Sequence, residues 1–196
     1  MLSLKNSLKV LRKTNALLEG HFVLSSGLHS SKYIQCAKLL SQPKLSKKIC
    51  KSLSQKIKKK FKKIDLILAP ALGGIVIGYE IGRILGIETI FAERVNSKFV
   101  LRRGFTIKKK TNVLIIEDVI TTGGSSLECA KLAKKFNANV VGFASLIDRS
   151  SKVSLKIKNN EIVSQIKIDV PTYRKNMLPN ILKKTPVSKP GSRFIK

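Results

Sequence analysis

The stretch that most limits how this chain can fold runs from Val113 to Ser126 and reads V-L-I-I-E-D-V-I-T-T-G-G-S-S. Val113 to Ile116 form an unbroken apolar run, too short and too uniform for an amphipathic helix and suited to a strand buried on both faces of a parallel sheet. The spacing predicts two adjacent carboxylates, Glu117 and Asp118, at the end of that strand. A hydroxyl- and glycine-rich turn, Thr121 to Ser126, follows, and then a helix from Leu127 to Phe136. A small-residue loop entering a helix offers unpaired backbone N–H groups, hydroxyl donors and the positive end of the helix dipole, which together suit a phosphate. Carboxylates repel phosphate unless they serve another part of the same ligand. Ribose hydroxyls, or a magnesium ion carried on a polyphosphate, would employ them, so the expected ligand is a phosphorylated sugar.

The arrangement recurs upstream. Leu66 to Ala69 is a second apolar strand, ended by Pro70 and followed by Ala71, Leu72, Gly73 and Gly74. A helix then runs to about Leu85, in which Gly78 and Gly82, one turn apart, would let it lie close to the sheet. Two such loops on strands of one parallel sheet open on the same edge and can hold both phosphate-bearing ends of one ligand. A third strand, Thr89 to Ala92, leads into Arg94, Lys98, Arg102 and Arg103. Arginine is scarce in this chain, so three arginines within ten residues stand apart from the general lysine richness. That segment reads either as a solvated hairpin or as a mobile arm that closes over a polyanion and stabilises charge on a departing group. The final core strand, Val140 to Ile147, ends in Asp148 and Arg149 at the same edge, where an arginine can fork onto a substrate carboxylate.

The 196 residues suit one domain. The N-terminus reads as an amphipathic basic helix carrying Leu4, Leu8 and Leu11, without a signal core or cleavage site, and no segment has the length of a membrane span. Cys36, Cys50 and Cys129 are odd in number and lack metal-ligand spacing, which points to a reducing, cytoplasmic setting. His21 and His29 have no acidic or cysteine companion and read as loop hydrogen-bonding groups or as catalytic groups, not as a metal site. Around them, Phe22 and Leu24, the turn Ser25-Ser26-Gly27, and then Tyr33 and Ile34 suggest two short strands whose aromatic faces suit a planar heterocycle. A long basic helix is expected from Pro43 to Lys60, and a tail from Pro171 that wraps the surface or packs on a partner subunit. The net charge of +28 comes mainly from lysines strewn over the chain with many Ile and Asn, as an A/T-rich coding sequence would produce. The dense cluster Lys56 to Lys63 surrounds one aromatic, Phe61, and offers no stacking platform. Specific nucleic-acid binding is therefore not expected, although non-specific polyanion binding at low salt is.

With these residues assembled, the chain resembles the orotate phosphoribosyltransferases, members of the type I phosphoribosyltransferase family, nearly end to end. The resemblance rests on G-H-F-V-L-S-S-G-L-H-S at 20–30, P-A-L-G-G at 70–74, A-E-R-V-N-S-K-F-V-L-R-R-G-F at 92–105 and I-I-E-D-V-I-T-T-G-G-S at 115–125. K-P-G-S-R at 189–193 matches the tail of one bacterial subgroup. It implies an α/β fold with a central, mostly parallel sheet flanked by helices. The core would lie at about 62–150, within a single domain of 1–196, and a small hood from about 1–40 would be joined by the C-terminal tail. The implied reaction transfers the phosphoribosyl group of phosphoribosyl pyrophosphate to orotate, with Mg2+ held mainly by the substrate, in a homodimer whose flexible loop serves the neighbouring site.

By the same resemblance, Glu117 and Asp118 would hold the ribose, and Thr121, Thr122, Gly123, Gly124 and Ser125 the 5-phosphate. Leu72, Gly73 and Gly74 would face pyrophosphate, Arg94 and Lys98 would be loop cations, and Thr121, Arg149, Ser25 and Tyr33 would contact orotate. With Lys98 and Arg94, Asp118 would be the catalytic set. The phosphate motif alone would also fit purine or pyrimidine salvage enzymes, or a non-catalytic nucleic-acid-binding regulator of the same fold. Three positions depart from relatives. Ser25 stands where some have lysine. Val100 stands where many have a loop histidine, for which Arg102 or Arg103 could substitute. Leu178 and Ile181 replace a cysteine pair, so no metal is expected there.

Overall fold

The computed structural model describes residues 1–24, 27–150, 155–158 and 161–188. In chain order the elements are α1 (Leu4–Lys13), β1 (Leu17–Val23), β2 (His29–Ile34), α2 (Cys36–Leu40), α3 (Pro43–Lys60), β3 (Leu66–Pro70), α4 (Gly73–Leu85), β4 (Thr89–Val95) and β5 (Lys98–Leu101). They continue with β6 (Asn112–Ile120), α5 (Gly124–Lys135), β7 (Asn139–Asp148), β8 (Ile162–Lys167), β9 (Thr172–Tyr173), α6 (Asn180–Lys183) and β10 (Val187–Ser188).

Six strands form the central sheet in the order β5-β4-β3-β6-β7-β8, parallel throughout except for the β4–β5 hairpin. Val113 to Ile116 in β6 are fully buried, and their alternation feeds two different cores. Leu114 and Ile116 belong to the core shared with Ile49 and Leu53 of α3 and Ile77 and Ile81 of α4, whereas Val113 and Ile115 belong to that shared with Cys129 and Ala133 of α5. A strand covered by helices on both faces needs no polar side, which is why its sequence is a run and not an alternation. The α/β class and the mostly parallel sheet are thus as expected.

Several boundaries differ from the sequence expectation. The ladder of β6 with β7 continues to Ile120↔Asp148, so Glu117 and Asp118 lie inside the strand and not beyond it. Helix α5 starts at Gly124, earlier than Leu127. Beyond β7 the sheet gains β8, so β7 is not the final strand. His21 and His29 sit in paired strands rather than loops. They belong to a second sheet, β10-β1-β2-β9, in which the tail strands flank the N-terminal hairpin on both sides. Buried Leu182 of α6 anchors the tail. The nitrogens His21 Nε2 and His29 Nδ1 lie 2.6 Å apart, and His21 Nδ1 lies 3.1 Å from the Thr185 carbonyl. Because a carbonyl only accepts, His21 donates through Nδ1 and its Nε2 accepts from His29.

The basic helix α3 has the expected bounds, with Pro43 in its first turn. Lys56, within the lysine cluster, donates from Nζ to the Ser164 and Gln165 carbonyls at 2.9 Å each, tying the helix to β8. Cys36, Cys50 and Cys129 are buried free thiols. Burial holds Cys50 and Cys129 up at about 12.

Close packing of α4 depends on its glycines. A Cβ at Gly78 would lie 2.9 Å from the Ala69 Cβ, and one at Gly82 would overlap Thr89 Oγ1 and lie 2.8 Å from the Ile87 carbonyl oxygen. Glycine to alanine in an exposed helix stabilises by up to about 1 kcal/mol, but here the sign reverses. Gly82→Ala is expected to destabilise by about 2 kcal/mol through overpacking, read as a lower urea midpoint at unchanged m-value.

Candidate active site

Strands β3 and β6 are hydrogen-bonded neighbours running in the same direction, so the loops that follow them open side by side at one edge of the sheet. Each loop enters a helix whose N-cap makes no side-chain hydrogen bond, leaving first-turn N–H groups directed into the loop. The separation between the loops is minimal: a Cβ on Gly73 would lie 2.8–2.9 Å from the carboxyl atoms of Asp118. The peptide between Ala71 and Leu72 is cis. A cavity of about 440 Å³ opens here, lined by Gln35, Ala37, Leu40, Leu72, Gly73 and Asp118. Helix α2, which the sequence reading missed, supplies one wall; a five-residue helix without a side-chain cap leaves no periodic signal.

The two carboxylates are held differently. Glu117 accepts a hydrogen bond from Ser126 Oγ, a buried hydroxyl in the first turn of α5, and Asp118 Oδ1 accepts from the Val119 N–H at 2.9 Å. Burial raises both carboxyls. Glu117 is pushed up to about 7, first by burial and then by Asp118, against the opposing bonds from Ser126 and Ser125. Burial raises Asp118, opposed by backbone hydrogen bonding.

In the loop between β6 and α5 Thr121 and Thr122 are exposed and Gly123 is buried with φ +76°. A Cβ on Gly123 would lie 2.6 Å from Ile157 Cδ1, and the Thr122 carbonyl accepts from the Lys156 N–H at 3.0 Å. The 155–158 segment thus backs the loop, a contact no sequence signal marks. Gly124 N–H donates to Thr122 Oγ1 at 3.3 Å, and Ser125 is half-buried beside Glu117. The register Ile120↔Asp148 sets Thr121 beside Arg149. Among the described residues Arg149 Nε is buried without a hydrogen-bond partner, and burial lowers the guanidinium's proton affinity. A desolvated, unpaired guanidinium favours an anion. Tyr33 lies on β2, half-buried, its ring 5.8 Å from that of Phe22. Ser25 lies outside the described residues, as does 189–193.

Residues 92–101 pair as a β-hairpin. Asn96 and Ser97, with φ of +47° and +63°, make its two-residue turn, and β4 pairs with β5 from Ala92↔Leu101 to Val95↔Lys98. Three of the four cations among residues 94–103 are occupied. Arg94 pairs with Glu128 at 2.9 Å, Arg103 with Glu93 at 2.6 Å, and Arg102 with Glu93 at 3.6 Å. The fourth, Lys98, is exposed, and its ammonium has no hydrogen bond or ion pair among the described residues. Arg94 is therefore held by its own chain.

Residues 36–174 match the family described as "Phosphoribosyl transferase domain". The chain is 43% identical over 186 residues to the orotate phosphoribosyltransferase of Carboxydothermus hydrogenoformans, covering 94% of this chain and 96% of that protein. It is 45% identical over 187 residues to that of Chlorobium phaeobacteroides, covering 95% and 94%. Among solved structures it is similar to orotate phosphoribosyltransferase from Aeropyrum pernix, with a TM-score of 0.69 at 23% identity over 82% of this chain and 92% of that one.

The raised Glu117 carboxyl has a consequence for stability. Its ordinary value is 4.5 and its folded value about 7, so between those pH values the folded chain keeps a proton that the unfolded chain has released. Ionising it in place costs stability, fully so above pH 7. Glu117→Gln is expected to be more stable than the parent at pH 8 by about 1–3 kcal/mol, the advantage fading as pH falls from about 7 toward 4.5. Urea titrations at both ends of that range measure it; equal differences at the two would show an unperturbed carboxyl.

Proposed function

Because the chain belongs to the orotate phosphoribosyltransferase family, we propose that it transfers the 5-phosphoribosyl group of phosphoribosyl pyrophosphate to orotate, giving orotidine 5'-monophosphate and pyrophosphate in pyrimidine biosynthesis. The observation that carries the assignment of the site is the contact between Gly73 and Asp118, which sets two anion-accepting loops on either side of a carboxylate. One phosphorylated ribose with a diphosphate at its other end spans such a pair. The amino end of α5, with Thr121 to Ser125, takes the 5-phosphate. Leu72 to Gly74 take the diphosphate, and Glu117 and Asp118 accept from the ribose hydroxyls. Arg149, half-buried and with its Nε unpartnered among the described residues, takes the orotate carboxylate, with Thr121 and the Tyr33 side of the hood completing the base site.

Orotate N1 forms a bond to ribose C1 as the bond from C1 to the diphosphate oxygen breaks, and the N1 proton leaves to the departing diphosphate or to solvent. Positive charge grows on the sugar and negative charge on the leaving group. Asp118 and Glu117 face the former, and Lys98 opposes the latter when the hairpin meets the diphosphate. Among the described residues no three His, Cys, Asp or Glu side chains come together as a metal cage. The protein's contribution to a magnesium ion carried on the diphosphate would be the hard oxygens of Glu117 and Asp118, which suit it. Bound there, magnesium would neutralise leaving-group charge.

Helix α4 leaves Val76 and Tyr79 exposed at 53% and 65%, and its N-cap Leu72 at 84%. An apolar stripe at this spacing beside the site suits a second copy, and we assign it to a homodimer in which Lys98 serves the partner's site. Cytoplasmic residence accords with three buried free thiols. Among the described residues no helix is long and apolar enough to cross a membrane.

Purified protein with magnesium and phosphoribosyl pyrophosphate is expected to consume orotate, read by loss of its absorbance; conversion of a purine base instead would move the chain to the salvage branch. Lys98→Ala is expected to abolish turnover while leaving phosphoribosyl pyrophosphate affinity within about tenfold. Equal loss of both would make Lys98 a ground-state binding group. Val76→Glu is expected to convert a dimer to a monomer in sedimentation at moderate salt, and a dimer unchanged by it would place the interface elsewhere.

A further inference from the structure

The connection from β7 to β8 meets the loop between β6 and α5 at two of its carbonyls. Where the chain leaves β7, the Arg149 N–H donates to the Ile120 carbonyl at 2.9 Å, and further along the Lys156 N–H donates to the Thr122 carbonyl at 3.0 Å. The two bonds bracket Thr121. The C=O and N–H of a planar trans peptide point in opposite directions. Holding the Thr122 carbonyl on Lys156 therefore turns the Gly123 N–H away from that segment, and among the described residues this N–H has no acceptor. Gly123 is the N-cap of α5, so its N–H adds to the donors at the amino end of that helix.

Ile157 holds the same glycine from the side. It is 4% exposed, in the core that contains Val113, Ile115 and Cys129, and it fills the space beside Gly123, where a Cβ would lie 2.6 Å from Cδ1 and 2.8 Å from Cγ1. Glycine reaches φ +76° at no steric cost and leaves it as easily. A loop with two adjoining glycines and no capping side chain loses conformational freedom when it closes on a ligand, unless packing has already fixed it. We propose that Ile157 is a positioning residue for the 5-phosphate of phosphoribosyl pyrophosphate: seated in the core, it keeps the Thr122–Gly123 peptide turned so that the Gly123 N–H meets a phosphate oxygen. The role rests on the reading of Thr121 to Ser125 as the 5-phosphate loop, and it leaves the diphosphate end at Leu72 to Gly74 untouched.

Calorimetric titration of the full chain with phosphoribosyl pyrophosphate and with pyrophosphate, each with magnesium, separates the two ends. Ile157→Ala is expected to weaken phosphoribosyl pyrophosphate about five- to tenfold while pyrophosphate stays within about twofold, and Ile157→Val, which loses only Cδ1, to give a smaller loss of the same kind. Should Ile157→Ala fail to fold, Ile157→Val carries the comparison. Leu132→Ala, in the same core but toward the other end of α5, is expected to lower the melting temperature without separating the two ligands. Equal weakening of both ligands, no weakening of either, or the same separation from Leu132→Ala would overturn the positioning role. If Thr122→Ala combined with Ser125→Ala left phosphoribosyl pyrophosphate affinity unchanged, the reading of the loop would fail first and take this role with it; a loss there with none from Ile157→Ala overturns the role of Ile157 alone.

Discussion

The site depends on a side chain that is missing. Residue 73 approaches Asp118 so closely that one methyl group would displace the carboxyl. That approach is possible because β3 and β6 are direct neighbours in register Leu66↔Val113 and because α4 leaves its strand at once, before a longer loop could carry it away. The glycines at 78 and 82 continue the same logic along α4, letting it lie against Ala69 and Thr89. Sheet order, helix entry and small residues therefore act together, and each would be of little use without the others.

The electrostatics follow from that crowding. Two carboxyls held together out of water carry raised proton affinities, a cost of burial that ligand hydroxyls or a cation can relieve. Around them the arginines of the hairpin are each given an acidic partner, Glu128 or Glu93. Lysines are treated differently. Lys98 is left in solvent, and Lys56 is used as a backbone cap. Of the large positive charge, only a few groups thus bear on the site, and they are set apart by their contacts and not by their number.

Much of this was legible in the sequence because it is local. Apolar runs at 66–69 and 113–116 announce strands covered on both faces, and small residues directly after them announce loops that admit an anion. What escaped depends on neighbours distant in the chain. Strand β8, I-V-S-Q-I-K, is too short and mixed to distinguish from loop, and it exists because the edge of β7 needs a partner. Extension of β6 through Glu117 and Asp118 likewise reflects the partner strand, since two carboxylates argue against a strand locally. The hairpin at 96–97 lacks a glycine turn, and its registration on α5 through Glu128 lies 34 residues from Arg94. The histidine pair was misread as loop because its partner is the tail, through Thr185.

The smaller sheet has a bearing on how the chain reaches this structure. Its hairpin pairs with strands that follow it far along the chain, His21 with Val187 and His29 with Tyr173. Loop closure over such a separation comes late and slowly, whereas the larger sheet is contained within residues 66–167 and can assemble from neighbouring segments. During synthesis the early hairpin must therefore wait, with strand edges open, until the tail emerges. The larger sheet, with the Gly73–Asp118 approach, forms first on this order of events, and the smaller sheet closes only when β9 and β10 arrive.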